Sequence, residues 1–126
     1  MIKHKIDIDG YWKVIVYFDV NYNLLHYVLR DLRRTNISRR KLRRLYYNMS
    51  NGLAKGVTVS NIEKHLSVVL FNPHKRKYDY INSIAHEAEH IKQDMLRAYN
   101  VEDSGEPPAY TIGYLVMKML ILFKYI

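Results

Sequence analysis

Two histidines and a glutamate carry the most specific chemistry in this chain. His86-Glu87-Ala88-Glu89-His90 spell H-E-x-x-H. On a helix, residues four apart stand on one face, about 6 Å along the axis. Two imidazoles so placed can reach one tetrahedral zinc at roughly 2.0–2.1 Å each. Glu87, beside the first histidine, can hold a water at the metal and take its proton. Two helical histidines can also be plain surface or hydrogen-bonded core residues, so the setting decides.

A catalytic zinc needs three protein ligands and an open position. With no cysteine in the chain, the third must be His, Asp or Glu. Glu106 is the best placed, in a pattern Glu106-Pro-Pro-Ala109-Tyr-Thr-Ile112-Gly113 that opens a helix. Ala109 and Gly113 would let two helix backbones approach closely. Glu102 and Asp103 compete in the same loop, and Glu106 can equally be a helix-start carboxylate favoured by the macrodipole.

The elements that must position these residues can be read from periodicity. Ile81, Ile84, Ala85, Ala88, Ile91 and Met95 recur at three- and four-residue steps, and no Gly or Pro interrupts residues 77–100. A motif helix is predicted from about Lys77 to Tyr99. Residues 2–8 alternate apolar and polar, Asp9-Gly10 is a turn signal, and Trp12 to Val20 is β-branched and aromatic, which together read as a hairpin. Asn23 is positioned to cap a helix to about Arg34, and Ser38 one to about Met49. Gly56–Ser60 and His65–Phe71 read as two further strands, ended by Asn72-Pro73. The last segment, Tyr110 to Ile126, is strongly apolar. It has 17 residues with Lys118 in the middle, and a span needs about 20, so a buried helix packed on the motif helix is expected.

The chain has 126 residues, enough for one domain, taken here as 1–126 with a basic half (1–76) and a metal-site half (77–126). The N-terminal residues lack the apolar core of a secretory signal, and the missing cysteines agree with a reducing cytoplasm. The net charge of +8 is uneven. Residues 1–76 hold 15 Lys/Arg against 5 Asp/Glu, a balance of +10; residues 77–126 hold 5 against 7, a balance of −2. Between Arg30 and Arg44, eight cations face only Asp31. A polyanion partner, nucleic acid or an acidic protein, is one reading of that surface; a solvated helix face is the other.

H-E-x-x-H followed by E-x-x-A at the head of an apolar helix resembles the gluzincin type of zinc metallopeptidase. It is particularly similar to the small forms found in bacteria, phages and mobile elements, including the ImmA/IrrE-like group. The resemblance rests on residues 84–117. It implies an α+β, zincin-like fold, a small sheet packed on the motif helix and a C-terminal apolar helix. It implies that His86, His90 and Glu106 bind zinc (Zn2+), that Glu87 is the general base, and that an extended peptide pairs with the strand His65–Phe71. No histidine follows His90, so oxyanion stabilisation would fall to Tyr110, Tyr114, His65 or His74, with Tyr110 one turn after Glu106. Asp94 and Asn82, four residues from His90 and His86, could orient the imidazoles.

The leading expectation is therefore a zinc-dependent peptidase acting on a peptide or protein. The rivals are a catalytically weak zincin that serves as a binding or accessory protein, and a nucleic-acid-binding module using the Arg30–Arg44 surface with Tyr46 and Tyr47 for stacking.

Overall fold

The computed structural model describes residues 1–123. In chain order the elements are β1 (Ile2–Ile8), β2 (Trp12–Phe18), a 3₁₀ turn (Tyr22–Leu24), α1 (Leu25–Arg33), α2 (Arg39–Ser50), β3 (Gly56–Asn61), β4 (Leu66–Phe71), α3 (Lys77–Ala98) and α4 (Glu106–Phe123). The fold is α+β. The last three residues of the expected C-terminal helix lie outside the described residues. Among the described residues no helix is long and apolar enough to cross a membrane.

The sheet is mixed, in the order β1-β2-β4-β3. β1 and β2 form the expected antiparallel hairpin, with Asp9 (φ 50°) and Gly10 (φ 76°) both left-handed in the turn. Such a turn matches the twist of the strands it joins, and Asp and Gly tolerate that backbone best. β2 stops at Phe18, earlier than the pattern suggested, because Asp19 (φ 53°) turns the chain out of the ladder. β4 lies parallel to β2 and antiparallel to β3. It is buried at all six positions. β4 is therefore a central strand with both edges paired, and it cannot be where an extended peptide pairs. The free edges belong to β1 and β3.

Two apolar clusters lie on the two faces of this sheet. Val14, Val16, Phe18, Val69 and Phe71 face Ile84, Ala88, Ile91 and Met95 of α3 and Leu115 and Met119 of α4. Ile15, Tyr17, Val68 and Leu70 face Val28 and Leu32 of α1 and Met49 of α2, with Leu42 and Leu45 partly buried beside them. Alternate residues of β2 and β4 thus belong to opposite cores, as period-two side chains must.

Polar groups inside this packing are bonded. The Trp12 indole N–H donates to Ser67 Oγ at 2.9 Å, Ser67 and Ser60 hydroxyls share a 2.7 Å bond, and Ser60 donates to Asp94 at 2.6 Å. This chain of bonds ties β2, β4, β3 and α3 together. On the other face, buried Asp31 accepts from the Tyr17 hydroxyl and pairs with Lys3 at 2.7 Å, which fixes α1 to β2 and β1. Ser38 caps α2 as expected, accepting from Lys41 N–H at 3.2 Å. Asn23 does not cap a helix: Asn21 caps the 3₁₀ turn by accepting from the Asn23 N–H, and α1 begins without a side-chain cap.

Candidate metal centre

α3 presents three faces to three surroundings. Ile84, Ala88 and Ile91 turn into the core. Glu87 turns toward β3 and is 4 % exposed. His86 and His90 turn outward, the His86 side chain being 69 % exposed. Their Nε2 atoms lie 3.3 Å apart, with the ring planes at 80°. Two nitrogen donors on one tetrahedral zinc, each at 2.0–2.1 Å, lie about 3.4 Å apart. The imidazole pair therefore fits two positions of such a site.

Glu87 sits against that pair. One carboxylate oxygen, Oε2, is 3.9 Å from His86 Nε2. The other, Oε1, accepts from the Thr58 hydroxyl at 2.9 Å. Burial pushes the Glu87 carboxyl above the ordinary carboxylate range, against a partly offsetting pull from Thr58 and the two histidines. Gly56 makes this contact possible. A Cβ there would stand 3.3 Å from Glu87 Cγ and 3.2 Å from a ring carbon of Phe71. Beside it opens a cleft of about 470 Å³ lined by Lys55, Gly56, Asn82, Ser83, His86 and Glu87. Neither Thr58 nor Gly56 stood out in the sequence. The signal was the alternation in Gly56-Val-Thr-Val-Ser60, which puts Thr58 and Ser60 on one strand face.

The acids proposed as third ligand lie elsewhere. Asp103 pairs with buried Lys92 at 2.8 Å, and Lys92 also pairs with Glu89 at 2.7 Å. The two carboxylates, Asp103 foremost, hold the Lys92 ammonium above its ordinary range. Lys92 lies two residues past His90, about 200° further round the helix. The loop that carries Asp103 thus docks on the side of α3 away from the imidazoles. Glu106, three residues later, is exposed at the head of α4, and Glu102 is exposed in the loop. Among the described residues, no three His, Cys, Asp or Glu side chains are gathered closely enough to hold a metal ion.

The other predicted helpers divide similarly. Tyr110 is 74 % exposed on α4, and Tyr114 has Lys118 over its ring. His65 stacks on Trp12 and contacts Tyr99, nine residues past His90 and about 13 Å further along the helix axis. His74 is the one that comes to the site's flank. Its Nε2 bonds the Ser83 hydroxyl at 2.7 Å and its Nδ1 bonds the Asn72 carbonyl at 2.6 Å; Ser83 stands one turn before Glu87 and lines the same cleft. Asn82 lines it too, whereas Asp94 is engaged by Ser60 on β3.

Compared with known proteins, the chain matches no family model, no curated protein and no solved structure.

Proposed function

We propose that this chain is a zinc-dependent hydrolase of the minimal gluzincin kind, cleaving peptide bonds. One observation carries the reading: two imidazole nitrogens at the separation zinc requires, over a buried glutamate on the same helix. His86 and His90 would hold the metal; the resemblance implies Glu106 as the carboxylate third donor, although among the described residues no such acid is gathered with the pair. Bound zinc supplies a Lewis acid that makes water acidic near neutral pH. Glu87 takes the proton from a water in the cleft, through the oxygen facing His86, and gives it to the departing amine. Burial, which raises its carboxyl above the ordinary range, makes it a stronger proton acceptor than an exposed glutamate. Thr58 keeps the carboxylate aimed at the imidazoles. The free edge of β3, with Gly56 and Thr58 beside Glu87, is where the substrate backbone pairs in this reading.

A second reading is favoured by the exposed position of Glu106. A zincin that holds metal weakly through two histidines would serve as a binding or accessory protein and cleave nothing. One set of variants separates the two. On the peptidase reading, untagged protein carries stoichiometric zinc by elemental analysis, His86→Ala loses it, and Glu87→Gln keeps it while cleavage of a peptide library stops. Glu106→Gln then weakens zinc affinity by roughly 10-fold or more. Zinc-loaded wild type that cleaves no peptide, together with an unaffected Glu106→Gln, rejects the peptidase reading in favour of the binding one.

A further inference from the structure

A second cleft runs along the same strand from Glu87. β3 pairs with β4 on one side and with no strand on the other. Val57 and Val59 turn toward the cluster that holds Leu42 and Leu45 of α2. Thr58 and Ser60 turn toward α3, where they bond Glu87 and Asp94. The free edge therefore lies at the floor of a cleft of about 420 Å³ walled by α2 on one face and α3 on the other.

The phase of the ladder settles which backbone groups face this cleft. Asn72 N–H donates to Lys55 C=O at 2.9 Å, so residues 55, 57, 59 and 61 point their backbone groups at β4. The N–H and C=O groups of Gly56, Thr58 and Ser60 then point away from β4, those of Thr58 and Ser60 into this cleft and those of Gly56 at its junction with the cleft beside Glu87. Such a row is a template for an added extended chain.

Its walls are cationic. Lys41 and Arg44 of α2 and Arg97 of α3 line it, with Asp94 as the single acid. Among the described residues none of these three cations has an ion-pair partner, and Asp94 already accepts from Ser60. α2 contains no acidic residue. Lys41 and Arg44 are three apart on their helix, about 5–6 Å between Cβ atoms. Side chains two apart on an extended peptide share a face and stand about 6.6 Å apart.

We infer that this cleft selects acidic extended peptides: a substrate strand pairs with Gly56, Thr58 and Ser60 while acids two residues apart on its α2-facing side meet Lys41 and Arg44. The inference rests on the peptide reading of the β3 edge, and it stands whether or not the bound peptide is cleaved. A nucleic acid could meet the same cations, and it has no strand backbone to pair with the three outward residues. Arg40 and Arg43 do not line the cleft.

The test is binding by fluorescence anisotropy, with the Glu87→Gln protein to exclude turnover. The probes are a labelled ten-residue Thr/Val peptide with two Glu at i and i+2, the same peptide with Gln or Lys there, one with Glu at i and i+3, and mixed-sequence 20-mers of single-stranded and duplex DNA. Exposed ion pairs contribute roughly 1.5- to 5-fold each, so the i, i+2 Glu peptide is expected to bind about 10-fold tighter than its Gln form. The Lys peptide binds weakest, and the i, i+3 spacing loses most of the gain. Lys41→Glu with Arg44→Glu, both exposed positions, should reverse the Glu/Lys order while circular dichroism stays unchanged. Equal binding of all four peptides, an order indifferent to the double variant, or DNA displacing the Glu peptide through the same two residues would overturn the inference. A tight acidic peptide that is never cleaved, even with zinc and wild-type protein, would reject the peptidase reading and leave this one standing.

Discussion

A carboxylate at 4 % exposure is costly to charge, and among the described residues the Thr58 hydroxyl is its one side-chain hydrogen-bond donor, with a further pull from the two histidines. Glu87 was legible as the chemical residue because H-E-x-x-H fixes its neighbours along the helix. Its partner across the sheet was not, because no local pattern says which strand lies opposite. Asp31 shows the contrary case of a buried acid that is well served. Burial alone would raise its carboxyl, but hydrogen bonds from Lys3 and Tyr17 outweigh that and hold it below the ordinary range. A lowered native pKa gives stability that is complete above the unfolded value of about 3.9 and is lost as the pH falls through the native one. Asp31→Asn should therefore cost about 2 kcal/mol at pH 7, discounted from the 3–5 of fully buried pairs because Lys3 keeps part of its side chain in water. Urea titrations at pH 7 and pH 2.5 check this: the gap between variant and wild type narrows at the lower pH. A gap that widens on acidification would mean the carboxyl is destabilising as an anion.

At the scale of elements, nearly every helix and strand could be read from the sequence to within a few residues; of their neighbours, the β1–β2 hairpin and the packing of α4 on α3 could be read and the rest of the sheet order could not. The strand Leu66–Phe71 is apolar but for Ser67 and buried throughout, the mark of a strand covered on both faces and paired on both edges. Gly56–Asn61 alternates valine with small polar residues, the mark of a half-covered edge. The resemblance implied the first as the peptide-pairing strand; the alternation in the second, read in the sequence only as a strand, is what marks the edge. For the same reason Glu106 was legible as the head of a helix and not as a neighbour of anything. The Lys92–Asp103 pair that ties the loop before it to α3 joins residues of two different elements, which no local pattern announces. The approach of β3 to α3 depends on a missing side chain. Gly56→Ala would place a methyl 3.2–3.3 Å from the Phe71 ring, Glu87 Cγ and Leu70 C=O, and the ring is fully buried. The expected cost is about 1–2 kcal/mol, as for other overpacked sites. Because the strand must move off Glu87, on the proposed peptidase reading cleavage should fall by more than the stability change explains. A variant with wild-type melting and wild-type kcat/KM would show that the close approach is not needed.

Over the whole molecule, charge and packing are divided unequally. The basic excess lies in residues 1–76, whose helices cover one face of the sheet, while the histidine pair sits on a helix of the other face. β2 and β4 send side chains into both cores, so the two faces should unfold in one cooperative step. Any ligand held only by the folded chain then raises the stability of all of it. His86 and His90 are exposed and contribute little packing, so their loss should leave the metal-free protein almost unchanged. At free zinc of 100 times Kd, binding adds about 2.7 kcal/mol. With an unfolding entropy of roughly 2.1 cal/mol/K per residue, this corresponds to about 10 °C in Tm for a chain of this length. His86→Ala should melt with wild type in EDTA and show no rise with zinc. Ile84→Ala, a fully buried position on the same helix, should melt lower throughout and keep the zinc increment. Differential scanning calorimetry across a zinc series reads both. If His86→Ala rose as wild type does, or wild type did not rise at all, the pair of imidazoles would not be a metal site, however well their spacing suits one.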